Sequence, residues 1–227
     1  MLDRVEIAVE PWRWEFAAAR REEIVGHFAA RQRERLALWN GRVLLLNHYS
    51  VENGALRGTG FETDYATFLA FRDWDFPDAG VFNFFAAAAL RSADGAYLVG
   101  EMAQSTAGAG QLSFPCGTPD PDDLGAGGAL DLAGNLAREL SEETGLDIVS
   151  LTADPGWCLV RDRGFLALIK RLTAREDAQA LRSRIMRYLE REAQPEFCDI
   201  RIVRGPADFD PRMVPSAVAF LERVWRQ

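Results

Sequence analysis

The chain has 227 residues, about half as many again as the roughly 150 of a common domain, so one domain plus an extension is the simplest reading. Hydrophobic residues at 48% and charged residues at 26% exclude a disordered chain. A net charge of −8 lacks the basic footprint that grips a nucleic acid polymer, whereas a small phosphorylated ligand can bind through a divalent cation.

In chain order, alternation over Val5–Val9 predicts a strand that Pro11 stops. The proline-free stretch Glu15–Leu38 predicts one long amphipathic helix, with Arg20, Arg21, Glu22, Glu23, Arg31, Arg33, Glu34 and Arg35 as a solvated face. Val43–Val51 and Ala55–Thr63 flank Asn53-Gly54, the signature of a hairpin. Asp64 can cap a short helix over Tyr65–Asp73, and the Asp75–Gly80 break places a boundary near residue 78.

Strands are expected at Val81–Leu90 and Ala96–Met102, around a turn at Ser92–Gly95. The Pro-, Asp- and Gly-rich run Thr118–Leu130 predicts a long loop of the kind that carries function. A helix over Asp131–Thr144 ends at Gly145. Strands at Ile148–Leu151 and Trp157–Leu172 follow, then a helix over Glu176–Glu192, a strand at Cys198–Val203 and a helix over Met213–Trp225. Strands and helices without regular alternation imply α+β, or an α/β/α sandwich over a mixed sheet.

Three scattered cysteines without a CxxC argue against a disulfide scaffold or a zinc cluster, and two histidines exclude a multi-histidine site. The N-terminus lacks a secretion-signal pattern and the longest apolar run, Val81–Leu90, is too short to span a bilayer, so a cytoplasmic location without membrane contact is expected. Trp12, Trp14, Trp39 and Trp74 read as core, His48 as a satisfied core histidine, and Cys116 as a small space-filler.

The helix Asp131–Thr144 is unusual. At about 100° per residue, Leu132, Leu136 and Leu140 form its apolar stripe, and Glu139 and Glu143 fall on the edge of that stripe. Carboxylates on a buried margin cost several kcal/mol unless a cation compensates. Only Arg138, Arg161 and Arg163 are basic between Gly110 and Leu166, so a hard divalent metal is the natural compensator. Glu142 lies four residues after Arg138, a spacing that allows an ion pair.

Arg138-Glu139-Leu140-Ser141-Glu142-Glu143-Thr144-Gly145-Leu146 resembles the second half of the Nudix box at all seven specified positions. Phe114-Pro115-Cys116-Gly117 resembles the turn that opens the box, with Cys116 where a glycine is usual. The loop between them is about seven residues longer than the family pattern, and the family's first glutamate falls on Leu130. Either Asp131 or an aspartate within Pro119–Asp123 would then take that place. More loosely, the layout of Tyr65–Trp74, Ser92–Gly95 and Gly117–Asp122 resembles the branch that includes hydrolases of UDP-glucose and UDP-galactose.

The resemblance implies a Nudix-type sandwich over residues 79–227, preceded by an α+β extension over 1–78 that shapes the substrate pocket or a homodimer interface. It implies a pyrophosphohydrolase that uses Mg²⁺, or Mn²⁺ in its stead, on a nucleoside diphosphate linked to another group, with a nucleotide sugar as the favoured substrate. The main metal ligands would be Glu139 and Glu143, joined by Glu142 and the backbone carbonyl of Gly117. Arg138 would orient the carboxylates, and Glu196 would be a further ligand or general base. Arg161 and Arg163 could hold diphosphate oxygens, and Tyr65 could stack on the ligand. The alternative is a silent module of the same fold that binds a nucleotide without hydrolysing it.

Overall fold

A computed structural model describes residues 1–34 and 38–226. The elements are β1 (Arg4–Val9), α1 (Glu15–Ala19), α2 (Arg21–Glu34), β2 (Arg42–Glu52), β3 (Ala55–Asp64), α3 (Tyr65–Asp73), β4 (Asn83–Arg91), β5 (Tyr97–Met102), β6 (Leu112–Ser113) and β7 (Cys116–Gly117). They continue with α4 (Leu132–Thr144), β8 (Thr152–Ala153), β9 (Cys158–Asp162), β10 (Phe165–Thr173), α5 (Ala178–Leu189), β11 (Phe197–Val203) and α6 (Pro215–Trp225).

The apolar run Phe84–Leu90 becomes the central strand β4 because both of its faces are covered. Phe84, Ala86, Ala88 and Leu90 face one core while Ala87 and Ala89 face the other. The main sheet has the order β11-β5-β4-β10-β8, with β4 and β10 parallel and the β4–β5 and β5–β11 pairs antiparallel. Leucines of α4 and α5 fill the first core, and Ala217, Phe220 and Leu221 of α6 fill the second. The result is an α/β/α sandwich over a mixed sheet, as the sequence implies.

The first third builds a separate three-stranded sheet, β1-β3-β2, in which β1 runs parallel to β3. Asn53 and Gly54 both take positive φ in the turn of the β2–β3 hairpin, and Asp64 caps α3 by accepting from the Thr67 N–H at 2.8 Å. This sheet is sewn to the larger one by short bridges at Leu2–Trp157, Ala8–Ala129 and Leu46–Phe82. Leu2, Ile7, Leu44, Leu46 and Leu56 pack in the same cluster as the sandwich leucines. The break near residue 78 falls between α3 and β4, yet the core passes across it.

Several sequence expectations need correction. The long N-terminal helix is two helices, because Arg20 leaves helical geometry at φ −116°, ψ 22° and its guanidinium covers Trp74 at 4.3 Å. Residues 35–37 of that expectation lie outside the described residues, and Leu38 is not helical. Ile148–Leu151 is a single 3₁₀ turn capped by Asp147, followed by the short β8. Trp157–Leu172 is a hairpin, β9 and β10, folded at Arg163-Gly164, where Arg163 adopts φ +42°. His48 is exposed beside a bulge in β2, since the extra residue there turns its side chain out of the core. Trp12 and Trp39 are also exposed rather than core. No helix among the described residues is long and apolar enough to cross a membrane.

Candidate active site

The site forms where α4 crosses the short strand β7. Asp131 caps α4 by accepting from the Gly134 N–H at 2.9 Å, and Gly145 ends the helix at φ +67°. Between these ends the leucine stripe presses on the sheet, which turns Glu143 inward until it is 3% exposed. Its Oε2 accepts from the backbone N–H of Cys116 at 3.1 Å. Glu139, one turn earlier, is half-buried and lies directly over Gly117. A Cβ on Gly117 would stand 2.1 Å from the Glu139 carboxyl carbon, so only glycine admits this approach.

Arg138 gathers the acids on the outer side of the helix. It pairs with Glu139 at 2.8 Å and with Glu142 at 3.3 Å. Both oxygens of Asp123 accept from its Nη2, at 3.2 and 3.0 Å. Asp123 is buried and accepts in addition from the Asn135 side-chain amide at 2.9 Å and the Asp120 N–H at 3.0 Å. Of the acids that the sequence offered in place of Leu130, Asp123 is therefore the one hydrogen-bonded to Arg138, with Asp120 a looser partner at 3.8 Å, while Asp131 serves as the helix cap. The long loop brings Asp123 there because it is tied down at both ends. Leu44 N–H donates to Pro119 C=O at 2.8 Å, and Leu130 N–H donates to Ile7 C=O at 3.0 Å.

Glu196, just before β11, reaches the cluster from the opposite side and shares a hydrogen bond with the Glu143 carboxyl. Glu196 is exposed along one edge and forms the rim of the site, while Glu143 lies inside it.

These groups resist ionisation. Burial, opposed by Arg138 and reinforced by Glu142, pushes the Glu139 carboxyl up to about 7. Burial and the neighbouring Glu196 and Glu139 raise Glu143 well above the usual carboxylate range. Enclosure by protein and the Glu142 charge raise Glu196, against the pull of its hydrogen bond with Glu143. Burial and the Glu143 charge likewise raise the Cys116 thiol, which suits the space-filling role expected of it. Arg138 stays charged, since Asp123 and its other acidic partners outweigh its burial.

Among the described residues, no three His, Cys, Asp or Glu side chains converge as a ready-made metal cage. The donor chemistry nevertheless fits a hard divalent cation. Glu143 and Glu196 form no ion pair among the described residues, and oxygen donors crowded together without a counter-charge are what such an ion binds. Glu142 is peripheral to this group, with its side chain 60% exposed.

Beside the cluster opens a cleft of about 490 Å³. Its floor includes Cys116 and Gly117, the two residues that touch Glu143 and Glu139. Tyr65, Phe68 and Arg72 of α3 form one wall, so the first third of the chain completes the cleft. Phe85, Phe165, Val214 and Pro215 form much of the rest, with Asn83 and Asp162 among the polar groups. Tyr65, which the sequence offered as a stacking residue, lines this cleft. Arg161 and Arg163 do not line the cleft: Arg161 lies over the Phe82 ring at 5.5 Å, and Arg163 pairs with Asp75 at 2.6 Å. Sequence reasoning misses Asn83, Phe85, Asp162 and Phe165. The one available signal is Asn83, a polar residue inside an otherwise apolar strand.

No family model matches the chain, and no curated protein matches it. Among solved structures it is similar to a Nudix hydrolase from M. smegmatis, RenU, at 18% identity and TM-score 0.46, over 64% of this chain and 87% of that one. It is also similar to a MutT protein from Methanosarcina mazei Go1, at 18% identity and TM-score 0.44, over 64% and 94% of the two chains. A C. elegans Ap4A hydrolase aligns at 13% identity and TM-score 0.40, over 63% and 95%.

Proposed function

We propose that the chain is a Nudix-type pyrophosphohydrolase. With Mg²⁺ or Mn²⁺ it would cleave a nucleoside diphosphate linked to another group, a nucleotide sugar being the substrate that the sequence resemblance favours. Water adds to one phosphorus as the bridging P–O bond breaks, which yields a nucleoside monophosphate and the phosphorylated second group. The observation that carries this reading is the knot of Glu139, Glu143 and Glu196, crowded and short of positive charge, beside a ligand-sized cleft.

Glu139 and Glu143 would hold the divalent ion, and the backbone carbonyl of Gly117, which lies under Glu139, would be the further oxygen donor. The bound ion screens phosphate charge and acidifies water. Arg138, fixed by Asp123, holds Glu139 in place and keeps Glu142 at the rim. Glu143 and Glu196 share a hydrogen bond and both resist ionisation. With Glu143 held as a carboxylate by the ion and the proton between them released to solvent, Glu196 would be free to take a proton from the attacking water. Electrostatically, the cluster alone would repel a diphosphate, which makes the cation a requirement for binding as well as for chemistry.

The test is product analysis with Mg²⁺ and a panel of nucleotide sugars, ADP-ribose, dinucleoside polyphosphates, NADH and nucleoside triphosphates, in parallel with Glu143→Gln. Turnover of one class that falls at least about 100-fold in the variant is expected. Ligands that stabilise the protein but remain intact would replace this reading with a binding module. Turnover equal in both proteins would remove the carboxylate knot from the mechanism.

A further inference from the structure

The cleft beside the carboxylates is chemically lopsided. Its walls are aromatic and aliphatic, with Phe165 held edge-on by Phe76 at 4.5 Å and by Phe85 at 6.3 Å. Asp75 and Phe76 both adopt positive φ, +61° and +55°, to bring the Phe76 ring over Gly164, where a Cβ would stand 2.2 Å from it. Two adjacent non-glycine residues in this region are costly, and such strain persists where the surroundings impose it. The aromatic wall is thus rigidly set.

Arg72, Gln111, Ser113, Thr118 and Ser216 also line this largely apolar cleft. Beside the phenylalanines two further polar groups, Asp162 and Asn83, sit level with Phe165 across the sheet with hydrogen-bonding capacity to spare. Asp162 is flanked by two arginines that are both engaged elsewhere, and among the described residues its carboxylate meets no cation and accepts no hydrogen bond. Asn83 is 4% exposed, and its Oδ1 accepts from the Thr118 hydroxyl at 3.1 Å, which leaves its amide N–H groups to donate. The cleft therefore offers flat apolar faces for stacking, a carboxylate that only accepts, and an amide that donates.

Against the phenylalanine faces a sugar fits poorly, because each hydroxyl buried there would lose a water hydrogen bond without replacement. A planar heteroaromatic base fits it well. Uracil offers the carboxylate a single N–H between two carbonyl oxygens that repel it, whereas guanine pairs one carbonyl with two adjacent N–H donors and matches an amide beside an acid. We propose that this cleft is a nucleobase site selective for guanine, with Asp162 as the residue that enforces the choice. The inference rests on the hydrolase reading for its phosphate end, since a base seated here directs its phosphates past Cys116 and Gly117 to the carboxylates. It moves the preferred nucleotide from the UDP series to the GDP series.

The experiment is equilibrium binding of GMP, AMP, CMP and UMP to the full chain in the presence of Mg²⁺. None of these contains an anhydride, so the result does not depend on turnover. GMP should bind at least about 10-fold more tightly than UMP, and Asp162→Asn should abolish that ratio. Phe165→Ala should weaken all four while leaving their order intact. A second exchange, Asp162→Ala, guards against a local effect of asparagine, and an unchanged melting temperature for either variant shows that β9 is intact. UMP binding equal to or tighter than GMP, or a ratio that survives both exchanges, would overturn the assignment. Should the guanine preference hold in a protein that hydrolyses nothing, the hydrolase reading falls and the base site stands. Hydrolysis without base preference overturns the base site and leaves the hydrolase reading standing.

Discussion

Asp123 illustrates how one residue stands in for another at a distance. The sequence places leucine where the Nudix pattern has an acid, and the enlarged loop returns an acid to Arg138 from seven positions earlier in the chain. Asp123 does not touch the cleft, so its role is to position Arg138 and through it Glu139. Asp123→Asn preserves shape and removes charge. It should lower kcat about 10- to 100-fold with KM changed much less, as for other residues that orient ligands from behind. A variant with full kcat would show that Arg138 needs no such support. Asp131, nearer in sequence to the missing position, is already committed to capping α4. The sequence offered Asp131 or any of the aspartates within Pro119–Asp123, and only packing could choose among them.

At the scale of elements, α4, β7 and the segment before β11 together decide how the protein responds to pH. Glu139 titrates near 7 in the folded chain against 4.5 in a model peptide, and Glu143 and Glu196 move in the same direction. The folded state thus holds protons that the unfolded chain releases. Their contribution to stability is complete below about pH 4.5 and is lost as pH rises through 7, with Glu139 contributing on the order of 3 kcal/mol. Asp64, Asp94 and Asp210 are shifted down and act oppositely, and their stabilisation is lost only on acidification below the ordinary aspartate range. The melting temperature of the metal-free protein should therefore fall between pH 5 and pH 8. Millimolar Mg²⁺ should restore it at pH 8, and Glu143→Gln should flatten the profile. A profile that is flat without metal, or a midpoint at pH 8 that ignores Mg²⁺, would contradict the cluster's electrostatics. This behaviour is partly legible in the sequence, because helical periodicity alone puts Glu139 and Glu143 on a buried margin. The partner carboxyl of Glu196 lies more than fifty residues away, and no local pattern could measure how closely it approaches.

Across the whole molecule, residues 1–78 are part of the machine rather than an appendage. They supply a wall of the cleft, anchor both ends of the long loop, and share a hydrophobic core with the sandwich. Leu46 is fully buried at the junction, where β2 bridges to Phe82. Leu46→Ala should cost about 2–5 kcal/mol and lower the melting temperature by several degrees. Because the core is continuous, calorimetry of the wild-type chain should give one cooperative transition. Two separated transitions, with Leu46→Ala affecting only one of them, would show that the extension folds independently.

The sequence by itself determined the mixed α/β class, the β2–β3 hairpin from Asn53-Gly54, the capped α3, and the acidic margin of α4. Each of these depends on residues close together in the chain, whose turn preferences and periodicity act before any tertiary contact forms. The tertiary structure alone decided that Trp157–Leu172 bends back on itself, that Arg20 divides the first helix, that Asp123 partners Arg138, and that Phe85, Phe165 and Asp162 meet α3 around one cleft. Those outcomes depend on burial and charge pairing between segments far apart in sequence, and such contacts have no local signature.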